Sequence, residues 1–144
     1  MAVAKVKKTK RGNKKNQGNS NAGGNQAAQE QSFPIVGMGA SAGGLEAYEQ
    51  FFSKMAPQSG IAFVLIPHLD PTHASMMTEL LRRVTSMDVT EAKEGMKVKP
   101  DHVYVIPPNK EMSIFHGTLS LEPPKLAHGL RMPIDAFFRS LAED

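Results

Sequence analysis

Two hydrophobic periods divide the chain from residue 33 onward. Phe33-Pro34-Ile35-Val36 is a short apolar run and predicts a first strand. Leu45, Tyr48, Phe52 and Met55 then recur at three- and four-residue intervals, which predicts a helix over 45–55 with one apolar face. Pro57-Gln58-Ser59-Gly60 breaks it. Residues 61–66, Ile-Ala-Phe-Val-Leu-Ile, are continuously apolar, the pattern of a parallel strand covered on both faces. Pro67-His68-Leu69-Asp70-Pro71 ends that run. A second helix is expected from about Ser75 to Val84, with Met76, Met77, Leu80, Leu81 and Val84 turned inward. Val89 opens a short extended stretch, and Val103-Tyr104-Val105-Ile106 is a strand stopped by Pro107-Pro108-Asn109. Residues 112–115 and 118–121 flank His116-Gly117 as a β-hairpin, and 123–130 reads as loop. Met132-Pro133-Ile134-Asp135 opens a last helix whose apolar face holds Ile134, Phe137, Phe138 and Leu141. The order β-α-β-α-β, hairpin, α predicts an α/β fold: a doubly wound, mostly parallel, Rossmann-like sheet with a β-hairpin insertion.

Residues 1–32 have neither period. They are Lys, Asn, Gln, Gly, Ser and Ala with almost no large apolar residue, too little to offset the entropy of ordering, and are expected to form a disordered basic polar tail. The domain is therefore placed at 33–144. Charge follows the same boundary. Of the 144 residues' 17 Lys and Arg and 14 Asp and Glu, the tail holds seven and one, so it carries +6, and 33–144, with ten and thirteen, carries −3. Lys7-Lys8-Thr9-Lys10-Arg11 has no interleaved aromatic residue to stack on bases, so no nucleic-acid partner is expected. The chain has no cysteine, which excludes disulfides and thiolate metal sites. No apolar run approaches a membrane span, and no signal-peptide core opens the chain, so no membrane insertion and a cytoplasmic location are expected.

Candidate chemistry concentrates in Ile35-Val36-Gly37-Met38-Gly39-Ala40-Ser41-Ala42-Gly43-Gly44. Gly39-Ala40-Ser41-Ala42-Gly43 is a G-x-S-x-G pattern between a strand and a helix. A sharp turn there exposes the serine oxygen at the end of a sheet, and amides opening the next helix can support an oxyanion. His68 follows the second strand, 27 residues beyond Ser41, the travel of one helix and one strand. A βαβ crossover brings both to the carboxyl edge of the sheet, a spacing that suits a serine activated by a histidine base. The same residues satisfy Gly37-x-Gly39-x-x-Ala42, a dinucleotide fingerprint. A nucleotide-binding or regulatory module therefore stays open, although Asp70 lies too far on for the expected ribose carboxylate. His68, Asp70 and His73 lie across a proline turn instead of along one helix face, so no metal is assigned. His102, His116 and His128 fall in loops or turns and receive no role.

The runs Phe33-Pro-Ile-Val-Gly-Met-Gly-Ala-Ser-Ala-Gly-Gly-Leu-Glu-Ala47 and Ile66-Pro-His-Leu-Asp-Pro-Thr-His-Ala-Ser75 resemble the catalytic domain of the chemotaxis protein-glutamate methylesterases, CheB-type. So do Val103–Asn109 and Arg131–Phe138, and the wording is closest to the domain found in methylesterase/methyltransferase fusion proteins. The resemblance implies hydrolysis of glutamate methyl esters on chemoreceptor cytoplasmic helices, deamidation of some receptor glutamines, and a fused or separate receptor methyltransferase as partner. It implies Ser41 as nucleophile, His68 as general base and no cofactor. Ala42 stands where the family often has Thr, and Pro67 where Gln is common. The family's third triad member is an Asp in a Gly-x-Asp-Gly segment, and no such segment occurs in residues 1–144. Asp101 and Asp135 do not match it. The chain is therefore expected to be a domain incomplete at its C-terminus, weakly active or inactive, and prone to aggregate.

Overall fold

The structure, a computed structural model, describes residues 2–4, 33–41, 43–67, 71–124 and 132–144. In chain order the elements are β1 (Ala2–Ala4), β2 (Ile35–Ala40), α1 (Gly44–Phe52), β3 (Ala62–Pro67), α2 (Pro71–Val84), β4 (Asp88–Glu91), β5 (Met96–Lys97), β6 (His102–Val105), β7 (Glu111–Phe115), β8 (Thr118–Glu122) and α3 (Pro133–Glu143). The main sheet runs β1-β2-β3-β6-β4, in which β2, β3, β6 and β4 are mutually parallel and β1 is antiparallel to β2. A second, antiparallel sheet runs β5-β8-β7.

The α/β expectation holds, because the apolar runs bury on both faces. Along β3 every residue is buried and the faces alternate. Phe63 and Leu65 join Met38, Ala40, Tyr48, Phe52, Met77 and Leu81 in a core beneath α1 and α2. Ala62, Val64 and Ile66 join Phe137 and Leu141 of α3 and Met112, Ile114 and Leu119 of the small sheet in the opposite core. Phe52 and Phe63 meet edge to face with ring centroids 5.3 Å apart, and Phe51 completes the cluster at 5.1 and 5.7 Å.

Several boundaries differ from the sequence expectations. β2 runs through both glycines to Ala40 instead of ending at Val36. Helix α1 stops at Phe52, short of Met55. Helix α2 starts at Pro71, not near Ser75, because proline lacks only an amide that a first turn leaves unbonded. Its buried stripe is centred on Met77 and Leu81, which turns the adjacent Met76 outward at 54% exposure. The stretch opened by Val89 is a parallel edge strand on β6. The tail was expected to be disordered throughout, yet Ala2–Ala4 pairs with β2 in the register Ala2↔Gly39, Val3↔Met38, Ala4↔Gly37. The physical reason is the open edge of β2, whose unpaired backbone groups accept any short extended segment without a proline.

Candidate functional site

Strand β2 ends at Ala40, and Ser41 follows it in an exposed position. The chain turns at once: the Gly44 N–H donates to the Ser41 carbonyl at 2.9 Å. Gly43, third in that turn, has φ 82° and ψ −2°, a left-handed conformation that glycine adopts without the Cβ penalty. A Cβ at Gly44 would stand 2.4 Å from the Ala40 Cβ, so α1 begins hard against the last residue of the strand. Of the amides opening α1, that of Gly44 is engaged in the turn and is not an oxyanion donor.

Strands β2 and β3 are parallel in the register Ile35↔Ala62 through Ala40↔Pro67. Ser41 and His68 are the residues that follow the two members of that last pair in the chain. His68 itself, with Ala42, Asp70 and His128, lies outside the described residues. His73 falls within α2, and its side chain is not described. The histidines left without a role have structural places. His102 lies at the amino edge of β6, with Nδ1 2.8 Å from the Pro100 carbonyl and Nε2 3.4 Å from Asp88 Oδ2. His116 occupies the hairpin turn with φ 49°. Among the described residues no group of three His, Asp or Glu side chains is arranged to hold a metal. Asp101 takes the Gly60 N–H on its carboxylate at 2.7 Å while its own N–H reaches the Ile61 carbonyl at 2.9 Å. This is the amino edge of the sheet, the end opposite Ser41. Asp135 lies in the first turn of α3.

The glycines that suggest a phosphate cradle are occupied by protein. On one face of β2, a Cβ at Gly39 would stand 2.5 Å from Ile134 Cγ2, and one at Gly37 3.0 Å from Phe138 Cε1. Both glycines therefore serve the close approach of α3, and the space beside them is filled by its side chains. This removes the main support for the dinucleotide reading, which needs backbone open to a pyrophosphate. On the other face, the buried Tyr48 hydroxyl of α1 donates to the Met38 carbonyl at 3.0 Å. Burial pushes its pKa upward, so it stays neutral. Sequence reading counts Tyr48 only as part of an apolar face. The signal for more was its place four residues after Gly44, on the same side of the helix.

Among the described residues no helix is long and apolar enough to cross a membrane. The crystal structure of the Thermotoga maritima CheB methylesterase catalytic domain shares this fold, with a TM-score of 0.67 at 22% identity over 76% of this chain and 59% of that one. The protein-glutamate methylesterase/protein-glutamine glutaminase of Salmonella typhimurium is 29% identical over 115 residues, 76% of this chain and 32% of that protein. A second such protein, from Xanthomonas oryzae, is 32% identical over 114 residues, 75% of this chain and 31% of its own length. The chain thus spans about a third of the length of these curated relatives. The family model described as CheB methylesterase matches residues 36–144, from β2 through α3 and including the serine turn. On that match over most of its length, the chain belongs to the CheB methylesterase family.

Proposed function

We propose that this chain carries the nucleophile and general base of a protein-glutamate methylesterase, a serine-type carboxylic ester hydrolase. The observation that carries the reading is the exposed Ser41 at the carboxyl end of β2, with Ala40 paired to Pro67, the residue that precedes His68. In this reading the Ser41 Oγ attacks the ester carbonyl of a methylated glutamate while His68 takes the hydroxyl proton. The tetrahedral oxyanion collapses, methanol leaves with the proton from His68, and an acyl-enzyme remains. Water, deprotonated by His68, then attacks the acyl carbonyl and restores Ser41, releasing the free glutamate. The same attack on a glutamine amide releases ammonia, which is the glutaminase half of the relatives' names.

The substrates in this reading are methylated helices of chemoreceptor cytoplasmic regions, and the setting is the cytoplasm, with a receptor methyltransferase as the opposing activity. No Gly-x-Asp-Gly segment occurs in residues 1–144. Methanol release from a methylated receptor fragment tests the assignment. The Ser41→Ala chain is expected to fold with an unchanged circular-dichroism spectrum and to lose the turnover that the parent chain retains. Equal release by the two chains, at a rate above the uncatalysed background, rules out Ser41 as nucleophile.

A further inference from the structure

Helix α1 touches β2 at two points on one line. Gly44 abuts Ala40 with no room for a side chain, and Tyr48, one turn further along the same helix face, bonds the Met38 carbonyl at 3.0 Å. Ala40 and Met38 are two apart on the strand and so share a face. Two contacts of this kind fix both the position of the helix along the strand and its angle to it. Ser41 is the first residue of the turn between the two elements, so whatever fixes the helix on the strand also fixes the turn. No side-chain cap bond holds the start of α1, because its cap residue is Gly43. At the far end of the helix the Phe52 and Phe63 rings hold by packing, which tolerates sliding. A hydrogen bond from a fully buried hydroxyl does not, since a displaced Tyr48 would leave its O–H unpaired in a dry core.

We propose that Tyr48 is a positioning residue for Ser41: its hydroxyl, bonded to Met38, sets the angle of the strand–turn–helix elbow that presents the serine. The proposal rests on the reading of Ser41 as nucleophile, and its test includes a measurement that does not need turnover. The chain has no cysteine, so Ser41→Cys introduces a single thiol at the elbow. Its rate of alkylation by iodoacetamide across pH reports the thiolate fraction and the access of that atom alone. With Tyr48 present, the inflection is expected below that of a free thiol, about 8.5. Adding Tyr48→Phe, which keeps the ring and removes one oxygen, is expected to raise the inflection and to slow alkylation at pH 7 by at least about threefold. The control Phe52→Leu loosens the same helix without touching the bond and is expected to leave the profile in place.

In the serine form, Tyr48→Phe is expected to lower kcat severalfold at unchanged KM. Overlapping thiol profiles with and without the tyrosine hydroxyl overturn the proposal. So does an equal shift caused by Phe52→Leu, and so does a Tyr48→Phe chain that fails to fold, since the bond would then serve the fold and not the elbow. If Ser41→Ala keeps its turnover while the thiol profiles differ, the nucleophile reading fails and the elbow tie stands.

Discussion

Gly39 shows what a single hydrogen in place of a methyl does in this molecule. It faces Ile134 at a distance that no Cβ accommodates, and Gly37, two residues earlier, faces the α3 rings on the same side. Gly39→Ala is therefore expected to cost about 1–3 kcal/mol, the range for overpacking a filled core. Shortening Ile134 to Ala makes room, so the double variant should lose less than the two single losses added, by about 1 kcal/mol or more in urea denaturation. Strict additivity would show that the glycine is not there for the helix. The G-x-S-x-G pattern was legible as a turn with an exposed serine, and the structure has that turn. The purpose of the preceding glycines was not legible. A glycine kept for a ligand and one kept for a packed helix look alike in sequence, and the only hint was their spacing of two, which puts both on one face of a strand.

Elements with a long, self-consistent period were readable from the chain: strand β3, helices α1 and α3, and the hairpin of β7 and β8 with His116-Gly117 at its turn, whereas of β2 only Ile35 and Val36 were legible. Short segments whose conformation depends on a neighbour were not. The two-residue β5 exists because β8 offers it an edge, and β1 because β2 does. No local pattern encodes either pairing. β1 carries a testable consequence. It covers Gly37, Met38 and Gly39 on the outer side of β2, leaving that side bare when it is absent. Deleting residues 1–5 is expected to raise the apparent mass in light scattering at matched concentration, through edge-to-edge pairing between copies. An unchanged mass would show that β1 does not guard the edge.

At the scale of the whole molecule, the parallel sheet with a core on each face sets the direction of the chemistry, because β2 and β3 deliver Ser41 and the chain leading to His68 to the same edge. The fold class was legible from element order; which strand lies beside which was not, since β6 inserts between β3 and β4 against chain order. If His68 is the base, as proposed, and no carboxylate within residues 1–144 orients it, the roughly 10⁴ loss in kcat seen in serine proteases sets the deficit expected for a polypeptide of these residues alone on methylated receptor, measured against a methylesterase with all three groups. Turnover within tenfold of such an enzyme would mean that another group orients His68. Helix α3 adds a mechanical property. At one end its Ile134 lies against Gly39; at the other, Ser140 Oγ accepts the Ile114 N–H at 3.1 Å and the Asp144 carboxylate accepts the Gly117 N–H at 3.2 Å. Eleven residues of helix make a rod about 16 Å long. With Phe137, Phe138 and Leu141 beside Gly37 and Ile134 beside Gly39, that rod lies along the serine-bearing strand for most of its length and ties to it the hairpin, whose tip carries Phe115 at 70% exposure.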